Sequence, residues 1–139
     1  MPRVQNLFRA RKKHLPMDEL SEVRAVGDTG FEGCTHGRPG SKRQLLVVDR
    51  ETLDSMDLRP GIIRENITTD GMNVNRLQIG QQLLIGEARL VVSAVCTPCS
   101  QMEAIRPGLQ KELWGRRGML CRVLEGGWIR RGDSIEKLS

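Results

Sequence analysis

Apolar and polar residues alternate loosely from Val4 to Arg9, which predicts a first strand, and Leu15-Pro16 breaks it. Alternation returns from Ser21 to Val26 and predicts a second. Gly27 to Gly40 then holds five glycines and one proline, a long loop in which backbone can approach a ligand closely. Lys42 and Arg43 introduce Gln44-Leu45-Leu46-Val47-Val48, a continuous apolar run expected of a buried strand. Asp49 is placed to cap a short helix running through Met56, with Glu51 in its first turn.

Pro60-Gly61 predicts a turn, Ile62 to Thr69 extended chain, and Asp70-Gly71 another turn. Gln81 to Ile85 and Ala88 to Val95 flank Gly86-Glu87, the pattern of a hairpin with a two-residue loop. Cys96 to Cys99 follows at the strand end. Gln101 to Trp114 predicts helix, split by Pro107 into a short turn and a second piece. Met119 to Leu124 and Trp128 to Arg130 read as a hairpin around Gly126-Gly127, and Ser134 to Leu138 as a last strand. Seven or more short strands with few short helices predict one mainly-β domain over residues 1–139, a barrel or sandwich, with closure removing exposed edges.

Composition narrows the function classes. Hydrophobic residues make up 38% of the chain, Tyr is absent, and Phe and Trp occur twice each, so the core must be largely aliphatic. The formal charge of +5 suits nucleic acid, an anionic surface or a small polyanionic ligand. The scarcity of aromatics leaves no stacking platforms, which argues against nucleic acid. The one dense basic cluster, Arg9 to His14, reads as a solvated turn. No apolar run reaches the ~18 residues of a membrane helix, and the basic N-terminus lacks the apolar stretch of a secretory signal. The expected location is therefore cytoplasmic, where four cysteines would be reduced and open to metal binding or reactivity.

Three blocks of sequence then join into one pattern. Gly30-Phe31-Glu32-Gly33-Cys34-Thr35-His36-Gly37 is the first; Arg43-Gln44-Leu45-Leu46 with Pro60-Gly61-Ile62-Ile63-Arg64-Glu65-Asn66-Ile67-Thr68 is the second. Ile79-Gly80, Leu84-Ile85-Gly86-Glu87-Ala88 and Pro98-Cys99 form the third. In this order and spacing the chain resembles a stand-alone MOSC domain. That family includes the C-terminal domain of molybdenum-cofactor sulfurases and is related to the molybdenum-dependent amidoxime reductases. The resemblance implies a pyruvate-kinase-barrel-like β-barrel with a pocket for the molybdenum-pterin cofactor, or for sulfur destined for it. It also implies that Cys99, at the signature position, is the catalytic thiol and molybdenum ligand. Cys34 departs from the pattern by standing where the family usually has Asp.

The residues themselves leave alternatives open. A thiolate at Cys99 would suit a d-block metal or carry a persulfide. Cys96-Thr97-Pro98-Cys99 is also the spacing of a redox pair, and Cys34, His36, Cys96 and Cys99 could form a tetrahedral zinc set. Arg38, Lys42, Arg43, Arg64, Arg116 and Arg117 lie in or beside glycine-rich loops and could hold the cofactor's phosphate, Arg43 foremost because a buried strand fixes its position. Glu65 and Asn66 lie at a strand start, where the amide could read pterin edges or form a local turn bond. His36 could be a ligand, an acid–base group or a phosphate contact. Cys121, within an apolar strand, is expected in the core.

Three functions follow from these readings. The first is sulfur carriage to the cofactor through Cys99, with sulfur supplied by a separate pyridoxal-phosphate-dependent cysteine desulfurase in trans. The second is a molybdenum-cofactor enzyme that reduces N-hydroxylated substrates with electrons from a partner reductase. The third is a non-catalytic, zinc-stabilised or nucleic-acid-binding barrel. The sequence does not choose between carrier and enzyme, and it is silent on oligomeric state.

Overall fold

A computed structural model describes residues 1–13 and 16–138. The expected break at Leu15 and the last residue of the basic cluster, His14, lie outside the described residues. An eight-stranded sheet dominates, with hydrogen-bonded order β11-β7-β8-β9-β5-β6-β1-β2. Its strands are β1 (Arg3–Arg9), β2 (Asp18–Leu20), β5 (Leu45–Asp49), β6 (Ile67–Asp70), β7 (Gln82–Ile85), β8 (Ala88–Val95), β9 (Met119–Glu125) and β11 (Ile135–Leu138). A second, three-stranded sheet has β3 (Glu22–Val26) between β10 (Gly127–Arg130) and β4 (Gly30–Phe31).

Strand β5 sets the architecture. All five of its residues are buried, and it lies between β9, antiparallel, and β6, parallel. Because side chains alternate across a strand, Leu45 and Val47 enter one hydrophobic core while Leu46 and Val48 enter another. The first core joins the two sheets. The second lies under α1 (Arg50–Ser55), α2 (Leu109–Glu112) and the 3₁₀ turn Ser100–Ala104. Helix α1 starts as its sequence predicts, with the Asp49 carboxylate accepting the backbone N–H of Thr52 at 3.2 Å.

Three expectations need correction. The large sheet does not close into a barrel. One edge of β1 pairs with β6 from Arg3 to Leu7, and on the other β2 takes Leu7–Arg9. The far end of the sheet reaches the start of β1 through an isolated bridge, Arg3 to Ser134, where Val4 N–H donates to the Asp133 carbonyl (2.8 Å), Gly132 N–H to the Val4 carbonyl (2.8 Å) and Ile135 N–H to the Pro2 carbonyl (2.9 Å). Strands β9 and β10 do not form a hairpin. At Gly126 the backbone passes so close to Ala25 that an added Cβ would lie 2.5 Å from its carbonyl oxygen, and β10 pairs with β3 instead. Extended chain also begins only at Ile67, because residues 60–64 curl into a turn.

Candidate functional site

Residues of segments 27–42 and 96–100 both line one cavity of about 1320 Å³. Its walls include His36, Arg38 and Arg43 from the glycine-rich loop and Cys96 and Cys99 beyond β8. Arg59, Ile62 and Arg64 come from the turn before β6, and Arg117 from the residues before β9. The apolar part is built by Leu46, Met102 and Leu120, all members of the second core.

Each loop is held by a buried polar side chain. Gln44, fully buried, donates through Nε2 to Asp28 Oδ1 (3.2 Å) and the Arg38 carbonyl (3.1 Å), while its Oε1 accepts from Val123 N–H (2.9 Å). It thus ties the glycine-rich loop to β9 and fixes where Arg38 and Arg43 emerge. Glu65, also fully buried, accepts from Gly61 N–H and the Thr68 hydroxyl, each at 2.8 Å. That clamps the turn carrying Arg59, Ile62 and Arg64. Gly61 is required there: its φ is +87°, and a Cβ would sit 2.8 Å from the Phe8 ring. Arg64 also adopts a left-handed φ of 65°, unusual for a residue with a side chain.

Asn66 is the junction of the site. It is fully buried, its Oδ1 accepts from Leu46 N–H (3.0 Å), and its Nδ2 donates to the Phe8 carbonyl (3.3 Å) and to Cys34 Sγ (3.4 Å). The same Oδ1 lies 3.4 Å from His36 Nδ1. An amide oxygen only accepts, so this contact assigns the proton to Nδ1 and leaves Nε2 as the acceptor. Burial depresses the His36 pKa; Asn66 opposes this, and Arg64, Arg117 and Arg43 add to it. His36 is held neutral at neutral pH.

Arg117 is 7% exposed. Its Nη2 donates to the Ile63 carbonyl at 2.7 Å, whereas Nε and Nη1 are buried without a partner. Burial pulls its pKa down from the usual arginine range, and Cys96, Glu65 and Cys99 counter that. Cys96 is buried, which pushes its thiol up, with Arg117 and Arg43 opposing. Cys99 is exposed on the cavity wall.

Of the residues expected at the site, His36, Arg38, Arg43, Arg117 and Cys99 line the cavity together, as does Arg64. Lys42, Glu65 and Asn66 do not. Lys42 is exposed, and its carbonyl accepts the Ser93 hydroxyl at 2.5 Å. The polar atoms of Asn66 are consumed by backbone and neighbouring side chains, and Glu65 is a turn lock. Arg116 donates to Ser55 Oγ at 2.7 Å, outside the cavity. The zinc set of Cys34, His36, Cys96 and Cys99 is not brought together: Cys34 Sγ turns to Ala10 N–H (3.4 Å) and Asn66, off the cavity wall. Among the described residues no three His, Cys, Asp or Glu side chains group in a way that could hold a metal ion. All four cysteines are free thiols, and Cys121 is in the core as expected. Sequence reasoning missed Lys13 and Arg59, both on the cavity wall. Lys13 belongs to the basic cluster read as a solvated turn, and Arg59 directly precedes Pro60-Gly61, so each had a signal.

No helix among the described residues is long and apolar enough to cross a membrane. No curated protein sequence matches the chain. Several solved structures share its fold, three of which follow. The YuaD protein from Bacillus subtilis is 20% identical with a TM-score of 0.79, covering 97% of this chain and 94% of its own. YiiM from Geobacillus stearothermophilus is 20% identical with a TM-score of 0.81, covering 100% of this chain and 76% of its own. YiiM from Escherichia coli is 22% identical with a TM-score of 0.74, covering 99% and 70%. The family model of the MOSC domain matches residues 35–136, from the loop that carries His36 to β11. The chain therefore belongs to the MOSC domain family.

Proposed function

We propose that the cavity binds the molybdenum-pterin cofactor and that Cys99 carries sulfur for it. One observation supports this above others. Lys13, Arg38, Arg43, Arg59 and Arg117 all line the cavity, and among the described residues none of them pairs with a carboxylate. Most arginines elsewhere behave differently: Arg3, Arg11, Arg24, Arg50, Arg89, Arg106, Arg122, Arg130 and Arg131 have acidic partners, whereas Arg9 and Arg116 meet a carbonyl and a hydroxyl and Arg76 pairs with no carboxylate among the described residues. Among the described residues the one cavity-lining carboxylate, Glu19, is engaged by Asn6 and Arg131. Unpaired cations facing a cavity with two orphaned guanidinium N–H groups suit an anionic ligand.

The residues present fit the cofactor. Arg38 and Arg43, with Lys13 and Arg59, would hold its phosphate, and the exposed Cys99 thiol is a soft donor suited to molybdenum. When bound, the cofactor supplies a redox-active metal whose terminal ligand can be sulfur. In the carriage step, the Cys99 thiolate attacks the outer sulfur of a persulfide on a cysteine desulfurase acting in trans. The new S–S bond forms as the donor's S–S bond breaks, and the donor cysteine leaves as thiolate. Pyridoxal phosphate belongs to that partner. Four free thiols suit a reducing compartment, which supports a cytoplasmic location.

The cavity volume favours a second reading. At about 1320 Å³ it exceeds the ~300–1,000 Å³ of ordinary ligand pockets, leaving room for a substrate beside the cofactor. An N-hydroxylated compound would then lose its oxygen as water, taking two protons and two electrons from a partner reductase. The test is purification from a cofactor-producing host, with molybdenum content, pterin fluorescence and intact mass measured. The carrier reading expects molybdenum, pterin and one added sulfur, the sulfur lost in Cys99→Ser at unchanged melting temperature. Absence of all three from the wild type overturns both readings. Reduction of an N-hydroxylated amidine by reduced viologen, without sulfur on Cys99, selects the second.

A further inference from the structure

We infer that Arg117 is the anion site for the sulfur carried on Cys99, an assignment that rests on the carriage reading above. The two residues share the cavity, and the guanidinium cannot swing away because Nη2 is held by the Ile63 carbonyl at 2.7 Å. Its Nε and Nη1 are buried and have no partner among the described residues. A guanidinium that is 7% exposed and lacks an acceptor for two donor atoms destabilises the empty protein. That cost persists only if something in the cavity meets it.

The surroundings select which anion does so. Leu46, Met102, Leu120 and Cys96 form an apolar, buried part of the wall, and Arg117 is the buried cation among the lining residues. A phosphate dianion, strongly hydrated, would be stripped of water there against one guanidinium. The exposed cations Lys13, Arg38, Arg43 and Arg59 suit it better. A persulfide anion carries one diffuse charge on a poorly hydrated sulfur, which one guanidinium fork can balance. Burial pushes the Cys96 thiol up, so Cys96 stays neutral and does not compete for the fork. A persulfide is more acidic than the thiol from which it forms, so loading favours the anion that Arg117 meets. Arg117 is a positioning and stabilising residue for the carried sulfur.

The experiment equilibrates the full chain with glutathione persulfide and glutathione. Sulfane sulfur passes between the two thiols by S–S exchange with no net oxidation, and intact mass reads the loaded fraction. Arg117→Gln keeps a donor for the Ile63 carbonyl but removes the charge. It should lower the loading equilibrium at least about tenfold, the scale of one charge-assisted contact. Arg117→Lys should restore most of that loss, which a merely structural arginine would not require. In parallel, the rise in melting temperature given by inorganic pyrophosphate should survive in Arg117→Gln and fall in Arg43→Gln. Equal loading of wild type and Arg117→Gln overturns the assignment while leaving carriage intact. Loss of the pyrophosphate effect in Arg117→Gln assigns Arg117 to phosphate and overturns it too. A wild type that takes no sulfur on Cys99 overturns carriage and the assignment together.

Discussion

Replacing Glu65 separates two roles for a carboxyl that the motif offers as a cofactor contact and the structure buries away from the cavity wall. Glu65 is 0% exposed, and one of its oxygens accepts both Gly61 N–H and the Thr68 hydroxyl at 2.8 Å. Glu65→Ala strands both donors in the interior. At about 1–3 kcal/mol for each of the two unsatisfied groups, the expected loss is about 2–6 kcal/mol. For a domain of this size that is a melting temperature lower by roughly 6–24 °C. Glu65→Gln keeps an acceptor of the same shape and should stay within about 1 kcal/mol of wild type at neutral pH. The pH dependence carries a sign. Burial raises the folded pKa of Glu65 above its ordinary 4.5, so the folded state prefers the protonated form. Its contribution is full below 4.5 and is lost as pH rises through the raised folded value. The glutamine variant has no such loss, so its melting temperature should gain on wild type as pH rises from acid to neutral. Scanning calorimetry across that range, with pyrophosphate binding measured beside it, is the assay. If Glu65→Gln melts like wild type at every pH yet no longer binds pyrophosphate, the carboxyl touches ligand and the turn-lock account is wrong.

Two further outcomes follow from the site. His36, with its pKa depressed chiefly by burial, stabilises the fold above its ordinary 6.5 and loses that contribution as pH falls through its folded value. His36→Gln should flatten this acid-side loss in melting curves; an unchanged slope would place the histidine outside the burial the structure gives it. Native alkylation should modify exposed Cys99 first and Cys121 only on unfolding, since Cys121 is 0% exposed with its pKa pushed up to about 12. Peptide mass mapping reads the order, and early labelling of Cys121 would contradict the packing.

Much of this fold was legible because it is written locally. The Leu45–Val48 run is apolar at every position, so burial on both faces was readable, and Asp49 stands three residues before the Thr52 N–H it caps. The Gly86-Glu87 hairpin was equally plain. What failed was non-local. Gly126-Gly127 has the composition of a turn, but the choice of β3 as partner depends on close approach to Ala25, which no local pattern encodes. Ile62 and Ile63 look like strand, yet the left-handed backbones of Gly61 and Arg64 curl them and bury Ile63 in the second core. The site divides on similar lines. Loop arginines and the signature cysteine were found, since charge and position suffice. Gln44, Glu65 and Asn66 carry equally polar side chains, but their hydrogen bonds end on Val123, Gly61, Leu46 and Phe8. A sequence does not show whether a polar group faces ligand or backbone.

Cys34, at the position where the resemblance implies Asp, takes on meaning from these same hydrogen bonds. Cys34 Sγ accepts from Ala10 N–H and Asn66 Nδ2, each at 3.4 Å, and packs against the first core rather than lining the cavity. A carboxylate here would accept the same two donors more strongly and add a negative charge next to the amide that holds His36. That charge would draw His36 towards imidazolium and give the cavity arginines an internal partner. With sulfur in its place, His36 answers to burial and to Arg43, Arg64 and Arg117, and stays neutral. The position therefore keeps an acceptor for Ala10 N–H and Asn66 Nδ2, so the loop retains its anchor. The cavity cations that pair with no carboxylate among the described residues then suit the anionic ligand proposed for the site.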